Sequence, residues 1–344
     1  MTAQTLRRRS RRHPSAPTAG IAVLLAAATA AVLSGCGTTP GSDSAGAATP
    51  DQGFPVTISN CGTELTLDHR SERIVLVNDD SLANLEALGA VDRVVGITAQ
   101  PAPGLYEQST YDALARLETM STEKNSTGGS IVSQESILGA EPDLVISPEN
   151  AVDRAALAAA GVAVYTPTAY CSDPPSTSGP ATFDRVWSEL RDYGAILGEA
   201  ERSDELVGEL TETVSAPAAS AGTAAAVYVS SGGTVLSPYG AQSMVTPVFE
   251  AAGLTNVYAD VDQRVFDVNV EDLVSRDPET VVVLYSSGDG PSAVDSFTSA
   301  PGTQSLSAVR NGRVVALPFP YTDPPSVLSV RGPAQLKGLL TGLR

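Results

Sequence analysis

The sequence predicts an α/β protein of two doubly wound lobes, each a mainly parallel sheet with helices on both faces, and three observations predict it. Short apolar runs of strand length alternate with runs of helical periodicity, the pattern of parallel sheets covered by crossover helices. That pattern occurs twice, over residues 55–180 and again over 219–344. Between the two, Thr182 to Val214 carries Phe183, Val186, Trp187, Leu190, Ile196, Leu197, Leu206, Val207 and Leu210, many at helical spacing, with only isolated glycines. A segment of this kind predicts one long, rigid connecting helix within 181–218 rather than a flexible hinge. Residues 55–344 are also more than one core usually serves.

The elements follow in order. Val56 to Leu67 alternates around Asn60-Cys61-Gly62 and reads as a small hairpin. Arg73 to Val77 is an apolar strand, and the helix that follows, through Leu82, Leu85 and Leu88, stops at Gly89. Arg93 to Ile97 is the next strand, followed by a loop rich in Pro, Gly and polar residues. Ser133 to Gly139 then reads as helix, Asp143 to Ser147 as strand, Ala151 to Ala160 as helix and Val162 to Thr166 as strand. In the second half Ala224 to Ser230 is a strand, Met244 to Ala252 a helix ended by Gly253, and Glu271 to Arg276 a helix. Thr280 to Tyr285 and Arg313 to Leu317 are strands, and Pro333 to Leu340 closes the chain as helix.

One unit is used in each half. Val132 to Leu138, then Pro142 and Leu144-Val145-Ile146, matches Val268 to Val274, then Pro278 and Thr280-Val281-Val282. Glu135 and Glu271 stand at the same distance before the proline, with the apolar positions in step, as expected of two similar lobes. Helix-Pro-strand units are common, so chance similarity is the competing explanation.

Residues 1–35 have the order of an export signal: five arginines, an Ala-rich apolar run too short to span a membrane, then Leu33-Ser34-Gly35-Cys36. The order resembles a bacterial lipoprotein signal, which implies acylation of Cys36 and anchoring at the outer face of the cell membrane; two acyl chains would suffice for stable anchoring. An ordinary export signal or a short anchor would leave Cys36 to chance. Residues 36–54 are largely small and polar and read as a flexible tether. Loss of the five leader arginines, with no Asp or Glu, takes the formal charge from -18 to -23. So acidic a chain is a poor partner for nucleic acid. Cys61 and Cys171 remain as an even pair, a disulfide candidate against two unrelated buried thiols.

No catalyst is evident. Beyond the leader the chain has one histidine, His69, so imidazole metal sites and a Ser-His-Asp triad both lack material. Neither a Gly-x-Ser-x-Gly elbow nor a phosphate-binding glycine motif with lysine is present. No enzyme activity, metal or resident cofactor is expected. Instead, polar and aromatic residues stand in loops after predicted strands, where open α/β sheets place ligands. Asn78, Asp79, Tyr106, Tyr239, Arg264, Tyr285 and Tyr321 are the candidate ligand contacts, tyrosine offering both an apolar face and a hydroxyl. The competing reading for each tyrosine is a half-buried rim residue.

Residues 56–342 resemble the substrate-binding proteins of ABC importers, in the branch serving iron-siderophore complexes, cobalamin and haem. The resemblance rests on the Asn60-Cys61-Gly62 hairpin, Leu88-Gly89-Ala90-Val91-Asp92-Arg93-Val94-Val95-Gly96, Glu141-Pro142-Asp143-Leu144-Val145-Ile146, Ala252-Gly253-Leu254-Thr255-Asn256-Val257 and Asn311-Gly312-Arg313-Val314. It implies a ligand cleft between the lobes and a lipid-anchored monomer that captures a metal-chelate ligand, foremost a ferric siderophore, for an ABC permease. It also implies an acidic docking residue on each lobe. Glu250 stands at the expected place in the second lobe; in the first, that place is Ala83, with Glu86 one helical turn later as the substitute. Pairing of Cys61 with Cys171 resembles a subset of the family, some members of which have been proposed to import a deazaflavin-cofactor precursor. Cobalamin and that precursor are therefore competing ligands, and an exported α/β enzyme or a sensor lipoprotein the competing classes.

Overall fold

The first element is a hairpin, β1 (Val56–Asn60) paired antiparallel with β2 (Thr63–Leu67). Its two-residue turn, Cys61-Gly62, has φ of 49° and 72°, the mirror-image turn that matches strand twist and favours glycine. This computed structural model describes residues 53–120, 122–124, 130–172, 178–216, 218–230, 235–286 and 288–343. The leader, Cys36 and the tether up to Gln52 lie outside the described residues.

The N-terminal lobe continues with β3 (Ile74–Leu76), α1 (Leu82–Ala87), β4 (Val94–Ile97), α2 (Gln108–Leu114), the short hairpin β5 (Thr122–Lys124) and β6 (Ser130–Val132), α3 (Gln134–Gly139), β7 (Leu144–Ile146), α4 (Arg154–Ala159) and β8 (Ala163–Tyr165). Its sheet is parallel throughout, in the order β4-β3-β7-β8. Alternate strand residues point to opposite faces. Ile74, Leu76, Leu144 and Ile146 pack with α1, while Val75, Val77 and Val145 pack with Ile137 of α3 and Leu157 of α4. Both faces are therefore covered, and the strands read as continuous apolar runs.

The connection expected as one helix is present as two, α5 (Asp184–Leu197) and α6 (Ala200–Val214). Gly198, with φ of 71°, ends α5 in the left-handed conformation that a glycine adopts without steric cost. The two helices then meet so closely that a Cβ on Gly194 would lie 2.3 Å from Ser203 Oγ. Helical periodicity continues on either side of Gly198, which is why the sequence suggests one rod. Val186, Leu190, Tyr193 and Ile196 of α5 and Leu206 and Val207 of α6 all belong to the core that includes the N-terminal sheet.

The C-terminal lobe comprises β9 (Gly222–Ser230), β10 (Val235–Pro238), α7 (Val245–Ala252), β11 (Leu254–Asn256), α8 (Val270–Arg276), β12 (Thr280–Tyr285), α9 (Gly290–Ser299), α10 (Ser307–Arg310), β13 (Val314–Pro318) and α11 (Val327–Thr341). Strands β9, β12 and β13 are parallel neighbours; β11 runs parallel along the start of β9, and β10 antiparallel along its end. The order β11-β9-β12-β13 thus repeats the order β4-β3-β7-β8 of the first lobe. The repeated unit agrees in detail. Ser133 and Asn269 each cap their helix by accepting from the backbone three residues on, and Glu141 and Asp277 each take positive φ, 49° and 38°, before the proline.

Both lobes fall within one compact unit of the chain. They are joined where the start of α11 meets α1: Val327 N donates to Asn84 Oδ1 at 3.0 Å, with both residues buried. Ala181 N donates to Ala241 O at 2.8 Å on the other connection. Among the described residues no helix is long and apolar enough to cross a membrane.

Candidate functional site

Loops at the carboxyl ends of four strands face one another across the lobes and enclose a cavity of about 530 Å³. Asp79 and Asp80 follow β3, Ala99 to Leu105 follow β4, Tyr285, Ser286 and Asp289 follow β12, and Pro318 to Pro320 follow β13. The turn after β3 is built by Asn78, whose φ of 87° suits asparagine better than most residues. Its backbone N–H donates to Thr98 Oγ1 at 3.0 Å, and its side-chain amide donates to Asp80 Oδ2 at 2.6 Å. The opposing loop is pinned by Tyr111, which donates to Ala102 O at 2.6 Å and accepts from Leu105 N and Tyr106 N.

A second cavity of about 430 Å³ lies between Ala169, Cys171 and Ser172 of the first lobe and Gln242, Arg264 and Val265 of the second. A polar chain runs from the first cavity to the second. Tyr170 donates to Asp80 Oδ2 at 2.5 Å, the Arg264 guanidinium lies 5.1 Å from the centre of the Tyr170 ring, and Arg264 Nε pairs with Asp323 Oδ2 at 2.7 Å. A cation over a partly desolvated aromatic face contributes about 0.5–2 kcal/mol. Arg264 and Tyr170 therefore form a contact across the lobes at the cleft.

Cys61 and Cys171 are joined as a disulfide. The bridge ties the turn of the first hairpin to the residue beside Tyr170. Asn60 supports the same junction, donating to Thr166 O at 2.7 Å and accepting from Thr166 N at 2.9 Å.

Burial sets the electrostatics. Loss of water raises the carboxyl of Asp80 to about 6; the Tyr170 hydrogen bond opposes this rise and the charge of Asp79 adds to it. Asp79 is also raised, again by burial. Tyr170 and Tyr106 are pushed upward by burial first and then by neighbouring carboxylates, so both remain neutral donors. Burial would lower Arg264, but Asp323 beside it, with Tyr170 and Tyr239, holds its pKa above the ordinary value. Beneath the Tyr170 turn, Glu189 accepts from Thr168 N at 3.1 Å and from Thr168 Oγ1 at 2.6 Å, and burial raises its carboxyl to about 7.

The residues expected from sequence divide as follows. Asp79 and Tyr285 line the larger cavity, and Arg264 the smaller. Asn78 shapes the turn, and Tyr106, half-buried, donates to Asp79 O at 3.4 Å. Tyr239 is packed into the C-terminal core, its ring 6.0 Å from that of Phe319, and Phe319 stands at the cavity instead. Tyr321 is half-buried against both cores. Glu250 is exposed on α7. Glu86 has its carboxylate engaged, Oε1 accepting from Glu107 N and Thr110 Oγ1 at the start of α2, and Ala83 is buried. Sequence reasoning missed Tyr170, Asp323 and Phe319. The signals available were the neighbouring Cys171 for the first and the proline-rich Pro318-Phe319-Pro320-Tyr321-Thr322-Asp323-Pro324-Pro325 run for the others.

A family model described as periplasmic binding protein matches residues 74–321, which take in every strand of both sheets. The chain belongs to the periplasmic binding protein family. Among solved members, an ABC-type Fe3+-hydroxamate transport protein from Saccharomonospora viridis is 37% identical with a TM-score of 0.75, covering 83% of this chain and 99% of that one. A periplasmic heme-binding protein from Pseudomonas aeruginosa shares the fold at 22% identity and a TM-score of 0.59, over 79% of this chain and 92% of that one. A cobalamin-binding protein of Halobacterium salinarum is 28% identical over 287 residues, 79% of this chain and 70% of its own. The two-lobed architecture of this periplasmic binding protein is thus shared with both solved structures.

Proposed function

We propose that this periplasmic binding protein captures a ferric-siderophore-type chelate outside the membrane and delivers it to the permease of an ABC importer. The observation that carries the proposal is the 530 Å³ cavity between the lobes, walled by Tyr285, Phe319 and a proline-rich loop, with Asp79, Asp80 and Asp289 among its polar points. Its volume is in the range that organic ligands occupy. The 37% identical Fe3+-hydroxamate transport protein favours a hydroxamate chelate. In this scheme residues 55–180 and 219–344 are the two lobes, 181–218 the helical connection, and Cys36 carries the lipid that keeps the monomer beside its permease. Asn78, Asp79, Tyr106, Arg264, Tyr285 and Tyr321 form or support the ligand site. Glu250, exposed on the second lobe, docks to permease arginines, with Glu86 as the weaker partner on the first.

Cobalamin is the second reading, favoured by the Halobacterium relative. Native mass spectrometry of protein purified from its own host separates the two: a retained ferric chelate supports the first, a corrinoid the second, and a deazaflavin would displace both. For docking, Glu250→Arg is expected to abolish uptake while leaving ligand affinity intact; unchanged uptake would remove that role.

A further inference from the structure

The charge of the cleft carries an inference that rests on the chelate-capture reading. The loops that wall the larger cavity, residues 77–81, 98–107, 285–290 and 318–326, contain no lysine or arginine at all. They do contain Asp79, Asp80 and Asp289, all three of which border the cavity. Asp289 is fixed in orientation because it caps α9, accepting from Ser292 N at 2.8 Å. Among the described residues lining the two cavities the one basic side chain is Arg264, and its charge is matched by Asp323 at 2.7 Å. Arg185, which also acts on Asp323, is directed to the carbonyls of Gln242 and Gly179. The chain as a whole has only two lysines, Lys124 and Lys337, and both are outside these loops. Tyr285 and Phe319 add aromatic faces, whose quadrupole also favours positive charge.

We propose that the cleft selects its chelate by charge: a cationic group on the ligand lies against Asp79 and Asp80, neutral chelates bind less tightly, and chelates bearing carboxylates or catecholate charge are rejected. A polyanionic ligand entering this cavity would meet Asp79, Asp80 and Asp289 on walls that carry no lysine or arginine, and would lose its hydration as well. Even at about 7 Å from the nearest carboxylate and an effective dielectric constant of about 40, each elementary charge on the ligand changes affinity by roughly tenfold.

Three ferric trihydroxamates with one common core test this: ferrioxamine B with its free ammonium, its N-acetylated form, and its N-succinylated form. Their net charges are positive, zero and negative. Isothermal titration of the purified protein at low salt should give affinities that fall about tenfold at each step. Raising the salt to about 0.5 M should compress the series, since the screening length then shrinks to a few ångströms. Asp79→Asn should narrow the gap between the ammonium and succinyl forms at low salt. Equal affinities for the three chelates, or tighter binding of the succinyl form, would overturn charge selection and leave chelate capture standing. Failure of all three to bind would overturn capture of ferric hydroxamates and charge selection with it.

Discussion

Replacing Glu189 by glutamine should stabilise the protein at alkaline pH and have almost no effect at pH 5. Glu189 is 1% exposed and lies beneath the turn that brings Tyr170 to the cleft, accepting from Thr168 N and Thr168 Oγ1 and interacting with Tyr165 as well. Burial raises its carboxyl from 4.5 to about 7. Between those values the folded chain holds a proton that the unfolded chain has released, so stability is greatest below the window and falls as pH rises through it. Each tenfold difference in proton affinity between the folded and unfolded chain corresponds to about 1.4 kcal/mol, so ionised Glu189 costs about 3 kcal/mol at pH 8. Glutamine removes the charge and keeps an oxygen for Thr168, at the loss of about 1 kcal/mol in hydrogen-bond strength. The net gain at pH 8 is then about 2 kcal/mol. Urea unfolding of both proteins at pH 5, 6, 7 and 8 measures it. Asp80 and Asp192, each raised to about 6 chiefly by burial, tilt the wild-type curve in the same direction; Asp80 is common to both proteins, and the repulsion between Asp192 and Glu189, which the variant relieves, is already contained in the Glu189 shift. A difference that does not grow between pH 5 and 8, or a wild type that the glutamine variant never exceeds, would refute this account of Glu189.

Three other changes probe the frame that holds the cleft. Asn84→Ala removes the acceptor for Val327 N at the buried junction of the lobes and should cost about 1–3 kcal/mol by urea unfolding. Gly194→Ala should destabilise by about 1–3 kcal/mol because its Cβ collides with Ser203; Ser203→Gly in the same protein should recover part of the loss. Replacing both Cys61 and Cys171 by serine opens a loop with a sequence separation of 110 and should cost up to about 4–5 kcal/mol in the chain-entropy model. Ligand affinity should fall with it, since Tyr170 adjoins the bridge, and calorimetry with a ferric chelate reads that second effect.

Much of the fold is legible in the sequence because its strands are buried on both faces. Ile74-Val75-Leu76 and Leu144-Val145-Ile146 leave no solvent-facing position, so composition alone marks them. Elements with weaker local signals escaped. Strand β10 and helix α9 lie in stretches dominated by Ser, Gly and Pro, and α2 is hidden in a loop whose polar residues suit either state. Helix α11 begins at Val327 although Pro333 suggests a start. The helix runs through Pro333, and the preceding Gly332 approaches Tyr321 O so closely that no side chain fits there. The cleft was half legible. Loop position after a strand pointed to Asp79 and Tyr285, whereas Tyr170 and Asp323 are brought together from opposite lobes by tertiary packing that no local pattern encodes.

The equivalence of the lobes also explains why their acidic surface residues are unequal. Gly89 and Gly253 both end a helix in the left-handed conformation, and each N–H donates to the carbonyl three residues back, Glu86 O at 3.0 Å and Glu250 O at 2.9 Å. Glu86 and Glu250 therefore occupy matching positions on α1 and α7. What differs is α2, a helix after β4 for which no described helix after β11 is the counterpart. The start of α2 binds the Glu86 carboxylate through Glu107 N and Thr110 Oγ1, and so fixes it in place. The chain leading into α2 is the loop Ala99 to Leu105 that walls the cavity. One added segment thus makes the ligand wall of the first lobe and engages the carboxylate that would otherwise mirror Glu250. In the proposed transport role, the first lobe meets the permease through a residue fastened to the ligand wall, and the second through a residue that is exposed.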